Sequence, residues 1–156
     1  MFYNNELHDY DKELLEGAIN NAADNTINCA SIMYQHMIKY SLQPDKQSAS
    51  WVGSIVNNSE KINSNLSKTK VRDLLETEEY RKKLNKAFEN ALNKASDESH
   101  LNRDWLDKKS ENIRIFSPTD LGDRDKIIKF LNNYYSLKSN DHVKTKNKIN
   151  EFINGE

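Results

Sequence analysis

Residues 36–51 read His-Met-Ile-Lys-Tyr-Ser-Leu-Gln-Pro-Asp-Lys-Gln-Ser-Ala-Ser-Trp, and this stretch decides the fold. An apolar run of helical spacing ends at Gln43-Pro44, because the residue before a proline is pushed out of the α region. Asp45 to Ala49 is a short polar connection. Ser50 is the expected N-cap of a second helix. In that helix Trp51, Ile55, Ile62 and Leu66 follow at spacings of four, seven and four, which places them on one face.

Upstream of this corner, residues 11–42 keep helical spacing. Leu14, Leu15, Ala18, Ile19, Ala22 and Ala23 form one stripe, and Ile27, Ala30, Met33, Tyr34, Met37 and Ile38 continue it with a shift of phase. Asp24-Asn25-Thr26 is either a break with a new N-cap or the solvent side of one long helix. Downstream, Ser67 to Lys70 is a polar connection. Val71 to Glu98 is the longest periodic segment. Leu74, Leu75, Tyr80, Leu84, Ala87, Phe88, Ala91, Leu92 and Ala95 are its core-facing stripe, with Thr77 a candidate break. Leu101, Trp105 and Leu106 suggest a short helix. Ile113, Ile115 and Phe116 alternate too briefly for a strand. Ser117-Pro118-Thr119 is a turn that opens a strongly apolar helix from Ile127 to Leu137. Val143, Ile149, Phe152 and Ile153 belong to a last, Lys-rich amphipathic helix.

The chain has 156 residues, the length of one domain. It holds only 4 Gly and 2 Pro, too few for the many tight turns of an all-β fold. Hydrophobic residues make up 36% and charged residues 30%, and the mean hydropathy is -0.92. These values describe a lean core under a very polar surface. The expectation is a single all-α domain over residues 1–156, a bundle of five to seven helices that is monomeric or weakly dimeric. Its core signature lies at 30–101 and its C-terminal helices at 119–154.

Net charge is -1, so no global field draws the chain to nucleic acid or an anionic membrane. The charge is unevenly placed. Residues 1–30 hold Glu6, Asp9, Asp11, Glu13, Glu16 and Asp24 against Lys12, whereas residues 61–94 hold nine bases against five acids. Either the two regions are solvated faces that complement each other or water, or the N-terminal acids meet a basic partner. Cys29 is alone, so no intramolecular disulfide forms. The first residues lack the basic and apolar regions of a signal peptide, and no run approaches the roughly 20 apolar residues of a membrane span. The expectation is a cytoplasmic protein with no membrane association.

The residues around the corner resemble the central pattern of the domain of unknown function 29 family, a set of small helical bacterial proteins. His36, Lys39, Tyr40, Gln43, Pro44, Ser50, Trp51 and Ile55 carry the likeness, with Ile62 seven residues further on. A later alanine pattern appears as Ala87, Phe88, Ala91, Ala95 and Glu98. The likeness covers about residues 30–101. Asn58-Ser59 replaces a basic residue often found there, and a proline-containing N-cap is missing near Thr69-Lys70. The resemblance implies an all-helical fold and supplies no catalytic residue.

The residues themselves carry no standard chemistry. His8, His36, His100 and His142 lie far apart, and no C-x2-C or H-x3-H pair suggests a zinc site. No metal and no cofactor are therefore expected. His36 reads as a partly buried structural histidine whose ring bonds loop carbonyls near Trp51. Cys29 lacks any feature that would lower its pKa and reads as a small buried hydrophobe. Glu76, Glu78 and Glu79 have no accompanying E-x2-H, which argues against a di-iron site. Gly122 and Gly155 are isolated, so no phosphate loop is present. Lys138, Lys144, Lys146 and Lys148, near Tyr134 and Tyr135, are the best basic patch, but Arg is scarce and such a terminal helix is ordinarily a solvated face.

The sequence thus points to a non-catalytic helical protein that binds another protein. Its most concrete form is an antitoxin or immunity-type inhibitor that offers Glu6, Asp9, Asp11, Glu13 and Glu16 to a basic toxin or nuclease. His36, Lys39, Gln43, Pro44, Ser50 and Trp51 are expected to be structural. The alternatives are a nucleic-acid-associated regulator using the Lys-rich C-terminal helix, and an enzyme with a site near His36.

Overall fold

One helix organises the molecule. In the computed structural model, which describes residues 2–155 and their side chains from Asp11 onward, α1 (Phe2–Leu42) is a single helix of 41 residues, about 60 Å long at 1.5 Å per residue. It runs unbroken through Asp24-Asn25-Thr26. Thr26 is buried there and its hydroxyl donates to the Ala22 carbonyl at 2.8 Å, within the helix. The longest helix is therefore α1 and not the 71–98 segment. That segment divides at Thr77 into α3 (Thr69–Leu75) and α4 (Glu78–Ser99), and the Thr77 hydroxyl bonds back to the Leu74 carbonyl at 2.6 Å.

Between α1 and α2 (Ala49–Leu66) the chain makes a single 3-10 turn, Pro44–Lys46. The N-cap of α2 is Ser48, not Ser50: the Ser48 hydroxyl accepts from the Trp51 amide at 3.2 Å. Both serines lie one turn or less from the tryptophan. The extended backbone at Ser48 selects it, because an N-cap must stand outside the helix, whereas Ser50 is already helical and exposed.

The remaining elements are α5 (Arg103–Lys109), α6 (Glu111–Arg114), α7 (Pro118–Leu121), α8 (Arg124–Tyr134) and α9 (His142–Asn154). Seven of the nine α-helices among the described residues reach seven residues or more; α6 and α7 are four-residue turns. No strand occurs among them, and the Ile113–Phe116 stretch forms α6 and its C-terminus. Short helices this close together need good caps. Asn102 caps α5 through the Trp105 amide, Asp123 caps α8, and Ser117 with Asp120 forms a reciprocal capping box on α7 behind Pro118. α4 ends at His100 in the left-handed region (φ 61), a role usually given to glycine.

The fold is all-α, a helical bundle. α1 packs against α2 on one side and α4 on the other, with α9 laid on α2. Met33, Tyr34, Met37 and Ile38 of α1 meet Val52, Ile55 and Ile62 of α2 and Phe88, Ala91, Leu92 and Ala95 of α4 in one continuous core. The alanines let α4 come close. Tyr34 and Phe88 meet edge to face, with ring centroids 5.1 Å apart. Buried hydroxyls then fasten the C-terminal third to this three-helix frame. Tyr34 donates to the Phe116 carbonyl at 2.6 Å, Tyr40 to that of Leu131 at 2.7 Å, and Ser59 to that of Leu121 at 2.6 Å. Among the described residues no buried side-chain nitrogen or oxygen lacks a partner.

The stripe expected to start at Leu14 and Leu15 starts later. Those two leucines are 56% and 51% exposed, and among the described side chains of α1 the first fully buried one is Ala23. The described side chains of residues 11–18 are exposed, and α3 lies alongside this part of α1.

Candidate functional site

The corner and the α1–α4 seam gather the residues singled out by their pattern. His36 and Lys39 lie on the last turns of α1, Gln43 directly follows its end, and Trp51 is in the first turn of α2. Lys39, buried to 8% exposure, sends its ammonium across the seam to Glu98 near the end of α4, where Nζ and Oε2 are 2.5 Å apart. The same ammonium lies 5.1 Å from the centre of the Trp51 ring, a cation–π contact. Gln35 donates to the other Glu98 oxygen at 2.9 Å. Trp51 is half-buried and packs against the core.

The electrostatics follow from these contacts. The hydrogen bond from Lys39 holds the Glu98 carboxyl below its ordinary range, and both oxygens are already occupied. His36 does not reach the loop carbonyls near Trp51. Its Nδ1 bonds the Ile32 carbonyl of its own helix at 2.9 Å, because a side chain on α1 leans back over the preceding turn. Burial holds the His36 pKa below its ordinary value, so the ring is neutral at pH 7. The saturated carboxylate–lysine pair and the Trp51 ring make a clamp between three helices, while His36 stays bonded to its own helix through Nδ1. Cys29 is buried, and burial pushes its thiol upward. Among the described residues no group of three or more His, Cys, Asp or Glu side chains could hold a metal ion.

Gln43 and Pro44 occupy the corner itself. The Gln43 amide accepts the helix-ending role by donating to the Lys39 carbonyl at 2.8 Å, and Pro44 starts the 3-10 turn. The residue that ties this corner to the rest of the chain is Gln47, which the sequence analysis did not single out. It is 1% exposed. Its Nε2 donates to the carbonyls of Tyr40 at 2.8 Å and Tyr134 at 2.5 Å, and its Oε1 accepts from the Ser136 amide at 3.0 Å. Its own carbonyl accepts from Ser139 at 2.5 Å. Nothing in a polar loop marks one glutamine as buried; only the arrival of the α8–α9 connection, almost ninety residues later, encloses it. Glu98 did carry a signal. It lies one helical turn past Ala95, at the end of the stripe of small buried residues that faces α1.

The acidic residues sit apart from this cluster. Asp11, Glu13 and Glu16 are exposed on the N-terminal part of α1. The side chains of Glu6 and Asp9 lie outside the described residues. The idea that the N-terminal acids and the basic 61–94 region neutralise each other holds for Asp24 alone among the described residues. Asp24 accepts from the Tyr80 hydroxyl at 2.8 Å and lies 3.5 Å from Lys83. Asp11, Glu13 and Glu16 enter no ion pair with another described residue.

Of the four C-terminal lysines, Lys146 lies over the Tyr135 ring at 5.1 Å and Lys148 pairs with Glu151 at 3.4 Å. Two of the cations are thus engaged within the molecule. Among the described residues no helix is long and apolar enough to cross a membrane.

A family model described as "Domain of unknown function DUF29" matches residues 12–114. The match begins earlier and ends later than the 30–101 likeness seen in the sequence, and it takes in the exposed part of α1 as well as α5 and α6. No curated protein and no solved structure gives a significant match.

Proposed function

The chain belongs to the DUF29 family, and on that premise we propose that it is a non-catalytic helical protein of the cytoplasm that acts by binding another protein, offering the acidic N-terminal part of α1 to a basic partner. The observation that carries this reading is the contrast within one helix. From Ala23 onward α1 is the buried axis of the bundle, whereas Asp11, Glu13 and Glu16 stand exposed on its N-terminal part and form no ion pair with another described residue. A charged helix face favours fast, electrostatically steered association. Inhibition of a basic toxin or nuclease, in the manner of an antitoxin or immunity protein, is the concrete form of this role.

The clamp of Lys39, Glu98 and Trp51 supports a non-catalytic role. Lys39 and Glu98 are committed to each other, with Gln35 on the second carboxylate oxygen and the Trp51 ring beside the cation, and together they hold α1, α2 and α4. The direct test uses the full chain as bait in the cells that make it, identifies the captured protein by mass spectrometry, and then measures the purified pair. A stoichiometric complex with a basic protein whose activity falls on binding is the expected result. Binding of nucleic acid alone, with affinity falling steeply as salt rises, would replace this reading with that of a regulator.

A further inference from the structure

We infer that the groove between α1 and α3 is a self-association site, in which a second copy of this chain docks about a two-fold axis. The groove encloses about 580 Å³ and has an apolar floor of Leu15, Ile19 and Leu74. Leu15 is half exposed and Leu74 and Ile19 are half-buried, so covering the groove removes apolar surface from water on both sides of a symmetric contact.

The rim of the groove identifies the occupant. Lys12 and Glu16 project from α1, and Lys70 and Asp73 from α3. Two are cations and two are anions, and none of the four pairs with another described residue within 4 Å. A partner of a single charge sign meets two like charges on such a rim. A second copy turned over by a two-fold axis brings the same patch against itself, so each base can face an acid, as an isologous interface requires. The exposed acids Asp11 and Glu13 do not line the groove. This inference does not rest on the proposed function; Glu16 belongs to both surfaces, and a dimer takes it up while leaving Asp11 and Glu13 outside the groove.

Sedimentation velocity of the full chain tests it, across about 5 to 200 µM at low and high salt, since exposed charges are screened over about 8 Å at physiological ionic strength. The expected species approaches twice the 18.2 kDa chain mass as concentration rises, and weakens in high salt. Leu15→Asp should leave a monomer. Lys12→Glu with Lys70→Glu makes the rim wholly acidic and should raise the dissociation constant at least about tenfold, equivalent to about 1.4 kcal/mol. Inverting all four rim charges (Lys12→Glu, Glu16→Lys, Lys70→Glu, Asp73→Lys) restores self-complementarity and should restore the dimer whichever pairs are opposed. Circular dichroism checks that each variant is folded, and these positions are at the surface, where substitutions change stability little. A wild-type chain that stays monomeric throughout overturns the inference. So does a dimer that survives both Leu15→Asp and the wholly acidic rim.

Discussion

Lys39 and Glu98 lie 59 positions apart in the chain and 2.5 Å apart in the fold. One end of the pair is buried and the other is half in solvent: the Lys39 side chain is 9% exposed and that of Glu98 50%. The pair bridges α1 and α4, and the Trp51 ring of α2 lies beside the cation.

Removing the charge of Glu98 should therefore cost more than a surface pair and less than a fully buried one. Exposed pairs contribute about 0–1 kcal/mol and broken buried ones about 3–5 kcal/mol. Glu98→Gln should lower the unfolding free energy by about 1–2 kcal/mol, read from the urea midpoint at unchanged slope. A midpoint equal to wild type would show that water satisfies Lys39 without its partner.

Acid should weaken the fold in two steps. The His36 pKa is lowered by burial from its ordinary 6.5, so below that pH the unfolded chain takes up a proton that the fold resists. Stability is full above 6.5 and falls as pH drops through it, until the folded ring also protonates. The Glu98 pKa is lowered from 4.5, chiefly by the Lys39 hydrogen bond. Its contribution is present above 4.5 and lost as pH falls through the folded value. His36→Ala should remove the first decline and leave the second. Retention of both declines in that variant would assign the first to another group.

Gln47→Ala should be among the most damaging single changes outside the apolar core. It leaves the Tyr40 carbonyl without the glutamine donor, takes the donor from Tyr134 and the acceptor from Ser136, and opens a void. Each buried polar group left unpaired costs about 1–3 kcal/mol, so a loss of about 2–4 kcal/mol is expected. Hydrogen exchange should show faster opening of α8 and α9 than of α1 and α4. Uniform loosening of the whole chain would contradict the role of Gln47 as the tie for the C-terminal third.

Trp51→Ala should cost about 2–3 kcal/mol, below the 3–5 kcal/mol of a wholly buried aromatic, because the indole is only half-buried. The urea midpoint followed by far-UV circular dichroism checks it. A loss no greater than that of a surface substitution would mean that the indole contributes little packing.

Asp11→Lys with Glu13→Lys should slow association with a basic partner while leaving the unfolding midpoint nearly unchanged, as surface substitutions shift stability by about 0.5 kcal/mol or less each. The slowing should shrink as salt rises, because exposed charges are screened. Stopped-flow association rates as fast as wild type at low salt would remove the acidic face from the binding reaction.

The sequence by itself determined the helical class, the corner at Gln43-Pro44, and most of the buried stripe from Ala23 to Leu92. These follow from local rules: proline excludes the α conformation before it, and period-3.6 apolar residues must share a face. Tertiary structure decided which of two nearby serines caps α2, that Asp24 to Thr26 belongs to one unbroken helix, and that Leu14 and Leu15 have no core to enter. It alone also decided that Gln47 is buried and that Lys39 finds Glu98. Each of these depends on what a residue meets after the chain has folded back from tens of positions away, and no local periodicity records that partner.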